Sequence, residues 1–130
     1  MHALRHVHRL LVPGGTMVDL HPLTEGQVEA GGRRIGVIEE PEFRTVDLPN
    51  AEARLAEAVA AGLYSLETET EFDFLQHFDD ADELFAAQED PALVKPALAR
   101  RIRAAPPPLV IREHVVVRRF RANTAGLDLE

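Results

Sequence analysis

The pair of residues best suited to chemistry lies in the stretch TMVDLHP, where Asp19 precedes His21 by two positions. Side chains two apart on a strand point to the same side, so a strand here would place the carboxylate beside the imidazole. A histidine next to a carboxylate can act as a general base. His21 would also lie at the carboxyl end of its strand, where open α/β sheets bind ligands. Asp19 and His21 are therefore ligand-facing candidates; the simpler alternative, which we favour, is that both only cap the strand before Pro22.

Two other groups of side chains give weaker signals. His2 and His6 are four residues apart, close enough on a helix to share a metal ion, but no acidic third ligand lies nearby. A surface histidine pair is the better interpretation, and we predict no metal site. Ser65 is the only serine, and no Gly-x-Ser-x-Gly turn surrounds it, so we expect no serine nucleophile. We assign no catalytic residue.

Four acidic residues alternate with uncharged ones in the stretch LETETEFDF: Glu67, Glu69, Glu71 and Asp73. This alternation predicts a half-buried strand over residues 66–74. Carboxylates at successive same-face positions lie ~7 Å apart, which is too far for one metal ion without further ligands. We therefore interpret the acidic residues as a solvated strand face. Arginines of the last predicted strand, notably Arg112 and Arg118, are expected to pair with it across the sheet.

Composition restricts the class of protein. The chain has 130 residues, a formal net charge of −8 and no cysteine. This length fits one domain with a core of its own, and the acidic balance argues against nucleic-acid binding. The lack of cysteine excludes a disulfide framework and fits a reducing cytoplasm. Since no apolar run is long enough to span a membrane and no signal peptide is evident, we expect a cytoplasmic protein without membrane partners.

Hydrophobic periodicity and turn residues predict an alternation of helices and strands. The expected elements are a helix over 2–11, a strand over 16–20, a hairpin of 34–39 with 43–48, a helix from Asn50 to Ala61, a strand over 66–74, a short helix after Asp80, a helix after Asp90 that reaches Ile102, and a strand over 109–121. Residues 23–32 are expected to form a loop. This order favours an α+β fold with a mixed, largely antiparallel sheet and helices packed on it. We predict a single domain over 1–121 and a flexible tail over 122–130.

Particular residues set several of these boundaries. Asn50 is a suitable N-cap for its helix and Gly62 a suitable C-cap. Asp80 and Glu83 have the spacing of a capping box. Pro96 either kinks the helix that contains it or marks a later start.

The candidate core draws on two sets of residues. The first helix carries its predicted inward residues at helical spacing: Leu4, Val7, Leu10 and Leu11. Four aromatic residues fall on predicted inward faces: Phe72, Phe74, Phe78 and Phe85. We expect all four in the core. The alternative is that they line a site for an apolar ligand between helices and sheet, in a small α+β dimer.

The opening stretch resembles part of the class I S-adenosylmethionine-dependent methyltransferases. The match rests on the end of a helix and a turn: Val7, Leu10, Leu11, Pro13, Gly14 and Gly15. In that family such a helix and turn lead into the fifth strand of a seven-stranded sheet, which would be Thr16 to His21 here. Residues 62–84 look like a late strand of the family and its following helix, and residues 106–121 look like its closing antiparallel strand. The resemblance implies a fold similar to the C-terminal half of a Rossmann-like methyltransferase.

The cofactor-binding half of that family has no counterpart in this sequence. The family holds S-adenosylmethionine with an early Gly-rich strand-to-helix loop and an acidic residue at the end of its second strand. Gly14-Gly15 and Gly31-Gly32 are isolated pairs that lead into predicted strands, so they are poor cofactor cradles. The resemblance therefore implies no cofactor-binding residue and no cofactor for the isolated chain.

Two functions are compatible with this resemblance. The first is a methyltransferase-like domain that lacks the S-adenosylmethionine-binding motif and serves as a non-catalytic binding or dimerisation module. A missing neighbouring strand would expose the edge of Thr16 to Leu20, so we expect a homodimer, or pairing with another polypeptide, through that edge. The alternative is a fragment or subunit of an active S-adenosylmethionine-dependent small-molecule methyltransferase, completed by upstream sequence or by another chain.

Overall fold

A computed structural model of the chain describes residues 2–124. These residues form an α+β fold of four α-helices and five strands, in the order α1 (His2–Leu10), β1 (Thr16–Pro22), β2 (Gly26–Ala30), β3 (Arg33–Ile38), α2 (Leu48–Ala60), β4 (Tyr64–Phe78), α3 (Ala81–Ala86), α4 (Pro96–Ala104) and β5 (Leu109–Ala122). A π-helical turn, Phe43–Asp47, leads into α2, and a 3-10 turn, Pro91–Leu93, precedes α4. Among the described residues, no helix has the length and apolar character needed to cross a membrane.

The five strands form one sheet in which β5 is hydrogen-bonded to β1, β2 and β4. β2 is also paired with β3, and it runs antiparallel to both β3 and β5. At the start of β1, the carbonyl oxygen of Gly15 accepts a hydrogen bond from the backbone N–H of Ala122 (2.8 Å). The predicted α+β fold with an antiparallel sheet is confirmed.

The hairpin lies earlier in the chain than the sequence predicts. Residues 26–30, within the predicted loop, form β2 and pair with β3. The turn between the two strands is Gly31-Gly32, with φ angles of 56° and 76°. Both angles lie in the left-handed region that two-residue hairpin turns require and that glycine adopts readily. The predicted hairpin of 34–39 with 43–48 is therefore wrong, because the glycine pair is the hairpin turn.

Residues 43–48 are helical rather than extended. The backbone N–H of Asp47 donates to the carbonyl oxygen of Glu42 (3.0 Å), which closes the π-helical turn. α2 follows directly, with Pro49 in its first turn, where a missing N–H leaves no helical hydrogen bond unmade. Asn50, the predicted N-cap, consequently lies inside α2.

The described chain divides into two compact units. Unit 1 comprises residues 2–21, 42–71 and 116–124, and unit 2 comprises residues 22–41 and 72–115. The core of unit 1 is formed by buried side chains of α2, β4 and β5 and the segment between α2 and β4: Leu55, Ala58, Leu63, Tyr64, Phe120 and Ala122. Leu4, Leu11 and Met17 pack against this core. α1 therefore contributes to unit 1 through one face.

The inward face of α1 includes a histidine. His8 is only 4% exposed, and its Nε2 is 3.1 Å from the carbonyl oxygen of Asn123. Its ring meets the ring of Tyr64 edge-on, with 5.3 Å between centroids. Leu10, predicted to face inward, is 73% exposed instead, and Val7 is also exposed. The hydrogen bond to a backbone carbonyl allows the imidazole to be buried on the face of α1 that also carries Leu4 and Leu11.

The core of unit 2 collects side chains from strands, helices and the 3-10 region: Val28, Ala30, Ile38, Phe78, Leu84, Val94, Leu98, Ile102, Leu109 and Ile111. α3 begins after Asp80, whose carboxylate accepts a hydrogen bond from the backbone N–H of Glu83 (2.8 Å), as the capping-box spacing predicts. α4 begins at Pro96, so this proline marks a later helix start rather than a kink.

The four phenylalanines divide into two pairs. Phe78 is buried, and Phe85 packs against the core of unit 2. Phe72 and Phe74 are 40% and 47% exposed, so the expectation that they lie in the core is wrong. β4 is exposed at every position between Tyr64 and Phe78, so the alternation identified a strand but the predicted half-buried face is absent.

The end of the described chain is ordered further than residue 121. Ala122 belongs to β5 and is buried. The backbone N–H of Asn123 donates to the carbonyl oxygen of Leu63 (2.9 Å), and its side-chain amide donates to that of Gly62 (3.1 Å). The C-cap of α2 is Ala61, and Gly62, predicted as the C-cap, follows it directly with a φ of 79°. Residues 125–130 of the predicted tail lie outside the described residues.

Replacement of Ile102 tests the core of unit 2. Ile102 is fully buried (0% exposed) on α4, so Ile102→Ala removes apolar contacts and leaves a cavity. We expect the free energy of unfolding to fall by about 2–4 kcal/mol in urea denaturation. Arg100→Ala, at an exposed position of the same helix, should change it by less than about 0.5 kcal/mol. Equal effects of the two substitutions would contradict this assignment of the core.

Candidate functional site

Asp19 and His21 lie side by side at the end of β1. Oδ2 of Asp19 is 2.6 Å from Nδ1 of His21, so the prediction that they share one side of the strand is confirmed. The other ring nitrogen, Nε2, is 3.0 Å from Oε1 of Glu52 on α2. The His21 side chain is 14% exposed. Since each ring nitrogen is held by a carboxylate, His21 could accept a proton from a ligand only after one of these contacts breaks.

Arg118 on β5 joins this arrangement from the adjacent strand. Its Nε donates to Oε1 of Glu69 (2.6 Å), and its Nη2 donates to Oε1 of Glu52 (3.2 Å). Its Nη1 is buried and lies 2.8 Å from Oε2 of Glu52, yet finds no acceptor in hydrogen-bonding geometry among the described residues. The short distance is an ion-pair contact, but its direction leaves N–H capacity on Nη1 unused.

These five side chains form what we call the His21 cluster: Asp19, His21, Glu52, Glu69 and Arg118. Burial acts to raise the pKa of Glu52, but hydrogen bonds from Arg118 and His21 outweigh it and hold the pKa below its ordinary value. Burial likewise acts to lower the pKa of Arg118, and the two glutamates raise it overall. Glu52 and Arg118 are therefore held in their charged forms by each other.

An apolar cleft, the α2 cleft, opens beside the His21 cluster within unit 1. Its volume is about 410 Å³, within the ~300–1,000 Å³ range of small-molecule sites. α2, β4 and β5 supply the lining: Glu52, Leu55, Ala56, Val59, Ala60, Leu66, Arg118 and Phe120. Glu52 and Arg118 are the only charged residues in this lining, so the cleft joins an apolar wall to one charged end.

Glu52 and Arg118 are the site residues that the sequence reasoning left without a functional role. Glu52 does carry a signal, because it precedes Leu55 and Val59 by three and seven residues on a predicted helix. That spacing puts it on the same helical face as two apolar residues. Arg118 carries a weaker signal of a functional role, because an arginine within a strand of β-branched residues is usually solvated. Only the packing of α2 against the sheet brings these two charges to Asp19 and His21.

The acidic residues of β4 are paired with arginines of β5, as predicted. Oδ2 of Asp73 is 2.8 Å from Nη1 of Arg112, and Glu69 bonds to Arg118. Nδ1 of His114 is 2.8 Å from the other oxygen of Asp73. Hydrogen bonds from His114 and then Arg112 lower the pKa of Asp73. The interpretation as a charged, solvated strand face therefore holds for these residues.

Glu67 contacts different arginines of β5 from Glu69. Its carboxylate is 2.6 Å from Arg121 and 3.5 Å from Arg119, whereas Glu69 contacts Arg118. The predicted pairing of acidic β4 with arginines of β5 therefore extends beyond Arg112 and Arg118 to two further arginines.

The remaining candidates have structural surroundings. His2 and His6 are exposed on α1, and no group of three or more His, Cys, Asp and Glu within residues 2–124 could hold a metal ion. The hydroxyl of Ser65 donates to Oδ1 of Asn123 (2.8 Å). These contacts offer no nucleophile–base pair of the kind that acyl transfer requires.

The His21 cluster predicts a pH dependence of stability. Because the pKa of Glu52 is depressed in the folded chain, the unfolded chain binds its proton more tightly. The stabilising contribution of ionised Glu52 is therefore present above its ordinary pKa of 4.5, and it is lost as the pH falls through the lower pKa of the folded chain. We expect Glu52→Gln to reduce the acid-induced loss of unfolding free energy by up to about 1 kcal/mol, a value limited by screening since the side chain is 36% exposed.

Urea denaturation as a function of pH measures this effect, and Glu57→Gln on the same helix is its control. Glu57 is exposed on α2 and should leave the acid slope unchanged. A wild-type acid slope in Glu52→Gln would contradict the role given to Glu52.

No protein-family model and no curated protein matches this chain. The roles given to these side chains therefore rest on the distances, burial and charges described above.

Proposed function

We propose that this chain is a methyltransferase-like domain without an S-adenosylmethionine-binding motif, and that it serves in the cytoplasm as a non-catalytic dimerisation module. The observation that carries this proposal is the exposure of β1. Val18 and Leu20 are 61% and 59% exposed on a strand that pairs with β5 and with no other strand of the described chain. Strand edges of this kind are paired or covered in stable proteins.

The direction of the backbone groups supports pairing through β1. The carbonyl oxygen of Gly15 points to β5, where it accepts from Ala122. Since backbone groups alternate between the two edges of an antiparallel strand, those of Thr16, Val18 and Leu20 point away from β5. The outer edge therefore offers N–H and C=O groups at three successive positions.

A second copy of the chain is the occupant that fits this edge. An antiparallel contact of β1 with β1 of another copy, centred on Val18, would bring Val18 to Val18 and Thr16 to Leu20. The exposed residues of this edge carry no charge, and none is proline or lysine, the residues that usually blunt exposed edges. Such a contact is symmetric and closes as a dimer rather than a filament.

One observation is in keeping with the methyltransferase-like part of the proposal. β5 is hydrogen-bonded to both β1 and β4 in an antiparallel sheet, and residues 106–121 resemble the family's closing antiparallel strand. Gly14 and Gly15 lie in the turn before β1, and Gly31 and Gly32 lie in the hairpin turn, so neither pair opens a helix that could receive a cofactor. The engagement of both His21 nitrogens favours a scaffold role over catalysis.

Proline substitution tests the dimer edge. Val18→Pro removes an outward N–H of β1 without removing one that faces β5. We expect it to weaken a wild-type dimer by about tenfold or more in sedimentation velocity, since each lost hydrogen bond is worth about 1 kcal/mol. Val18→Thr keeps the N–H and the β-branched shape and should remain dimeric. A well-folded wild-type chain that stays monomeric at the highest soluble concentration would overturn the proposal.

Calorimetric titration with S-adenosylmethionine tests the non-catalytic part. The isolated chain is expected to give no binding heat, because it offers no Gly-rich loop at a helix start. Saturable micromolar binding would contradict this and favour the alternative, an active methyltransferase fragment. An in-frame Gly-rich motif encoded upstream, together with methyl transfer by the chain joined to that segment, would establish that alternative.

A further inference from the structure

Another pocket lies in unit 2, between β3 and the end of α4. Its volume is about 570 Å³, within the ~300–1,000 Å³ range of small-molecule sites. We call it the arginine pocket, and its lining comes from the β2–β3 hairpin, α4 and the segment after α4: Ala30, Gly31, Arg33, Arg34, Ile35, Arg101, Ala104, Ala105 and Pro106. Three of these residues are arginines and none is acidic, although the chain has a net charge of −8. The pocket is therefore a positive site on an acidic chain.

Close packing of α4 on β3 brings the three arginines to one place. A Cβ atom on Gly36 of β3 would collide with the side chain of Leu98 on α4, so the glycine lets the helix lie close to the strand. The same Cβ position lies 3.4 Å from Nη2 of Arg101, so this guanidinium lies over β3. Arg33 and Arg34 belong to that strand and are exposed. Two different elements therefore supply cations to the same pocket.

The arginines of this pocket have no carboxylate partner. Within the part of the chain that the structure describes, the side chains of Arg33, Arg34 and Arg101 make no hydrogen bond or ion pair. The strand register places Glu29 opposite Arg34, but the Glu29 carboxylate accepts from Nε and Nη2 of Arg112 instead (2.8 and 3.3 Å). Like charges held together without a counter-charge repel one another, so an anion in the pocket would relieve this repulsion.

Arg103, which also lies in the last turn of α4, shows the contrast. Its Nη1 donates to Oδ1 of Asp82 (3.2 Å), and its guanidinium lies 4.7 Å from the ring centroid of Phe85. Both Arg101 and Arg103 are at the C-terminal end of the helix, where the helix dipole favours cations. The dipole thus explains why α4 ends in arginines, but it does not explain the two arginines that β3 adds to the same pocket.

The lining selects the kind of anion. A guanidinium binds carboxylate or phosphate oxygens through parallel N–H groups. A carboxylate offers two oxygens and one negative charge, whereas a phosphate monoester offers three terminal oxygens and a charge of about −1.5 to −2 at neutral pH. Three arginines therefore suit a phosphate better than a carboxylate. The rest of the lining, notably Ala30, Ile35 and Pro106, is apolar and suits an organic group attached to the phosphate.

From these observations we infer that the arginine pocket binds a small organic phosphate monoester. The phosphate lies among Arg33, Arg34 and Arg101, and the organic group contacts the apolar part of the lining. This inference goes beyond the proposed dimerisation and uses no residue of unit 1. Val18→Pro is accordingly expected to bind phenyl phosphate with wild-type affinity, which separates the two proposals experimentally.

Titration with phenyl phosphate, followed by two-dimensional NMR of the isotope-labelled chain, tests the pocket directly. We expect saturable shifts of the amide signals of Gly31, Ile35 and Ala105, with a Kd below about 1 mM. Arg101→Gln should raise this Kd by about tenfold, as expected for loss of a charged hydrogen-bond donor. Arg100→Gln is the matched control, because it removes the same charge from the neighbouring exposed position of α4, which does not line the pocket. Its Kd should stay within about twofold of the wild type, since salt screens charges outside the pocket.

Benzoate and inorganic phosphate separate the two parts of the ligand. On the wild-type chain, phenyl phosphate should bind about tenfold more tightly than benzoate, because it carries more charge and one more oxygen on the same ring. Inorganic phosphate lacks the ring and should bind about fivefold or more weakly than phenyl phosphate, through loss of the apolar contact. The affinity of phenyl phosphate should also fall as the salt concentration rises.

Four results would overturn the inference. The first is the absence of saturable shifts at the lining residues up to about 10 mM phenyl phosphate. The second is an equal loss of affinity in Arg100→Gln and Arg101→Gln, and the third is binding of benzoate as tight as that of phenyl phosphate. The fourth is equal binding of inorganic phosphate, which would replace the organic ligand by free phosphate. The amide spectrum shows whether Arg101→Gln is folded; if it is not, Arg34→Gln on β3 is the second variant, with the same expected rise in Kd.

Discussion

β5 is the strand on which the sheet depends, because it is hydrogen-bonded to β1, β2 and β4. In unit 2 its first residues, Leu109 and Ile111, are buried in the core. In unit 1 its last residues, Phe120 and Ala122, are buried in the other core. The strand joins segments from opposite ends of the chain, so the native sheet cannot close until the last strand has formed. Contacts of such long sequence separation carry a high loop-closure cost and favour slow folding.

The charged residues of the His21 cluster are paired with one another. The imidazole of His21 is bound on both sides by carboxylates, and the guanidinium of Arg118 is bound by Glu52 and Glu69. A general base needs a free nitrogen and a route to its substrate, and this arrangement provides neither without rearrangement. The cluster thus links β1, α2, β4 and β5 within unit 1 through charged contacts.

Local sequence signals were reliable where one physical rule acts alone. The capping of α3 by Asp80, the end of α2 at Gly62 and the late start of α4 at Pro96 each follow from a single backbone constraint. Prediction failed where two rules competed. Gly31-Gly32 was a stronger turn signal than Pro41 and its acidic neighbours, and the apolar spacing of residues 43–48 suits a helix as well as a strand. In the candidate site, the Asp19–His21 pair follows from the period of a strand, whereas Glu52 reaches it only through helix packing.

The sequence by itself determined the α+β class, the positions of most helices and strands, and the pairing of acidic β4 with basic β5, because these depend on periodicity, caps and charge alternation along the chain. Only the tertiary structure decided which faces are covered. It buried His8 and left Phe72 and Phe74 exposed, and it brought Glu52 to His21 and Arg118. The periodicity of a helix or strand fixes the direction in which each of its side chains points. The burial and the charge partners of that side chain depend on the other elements that pack against it.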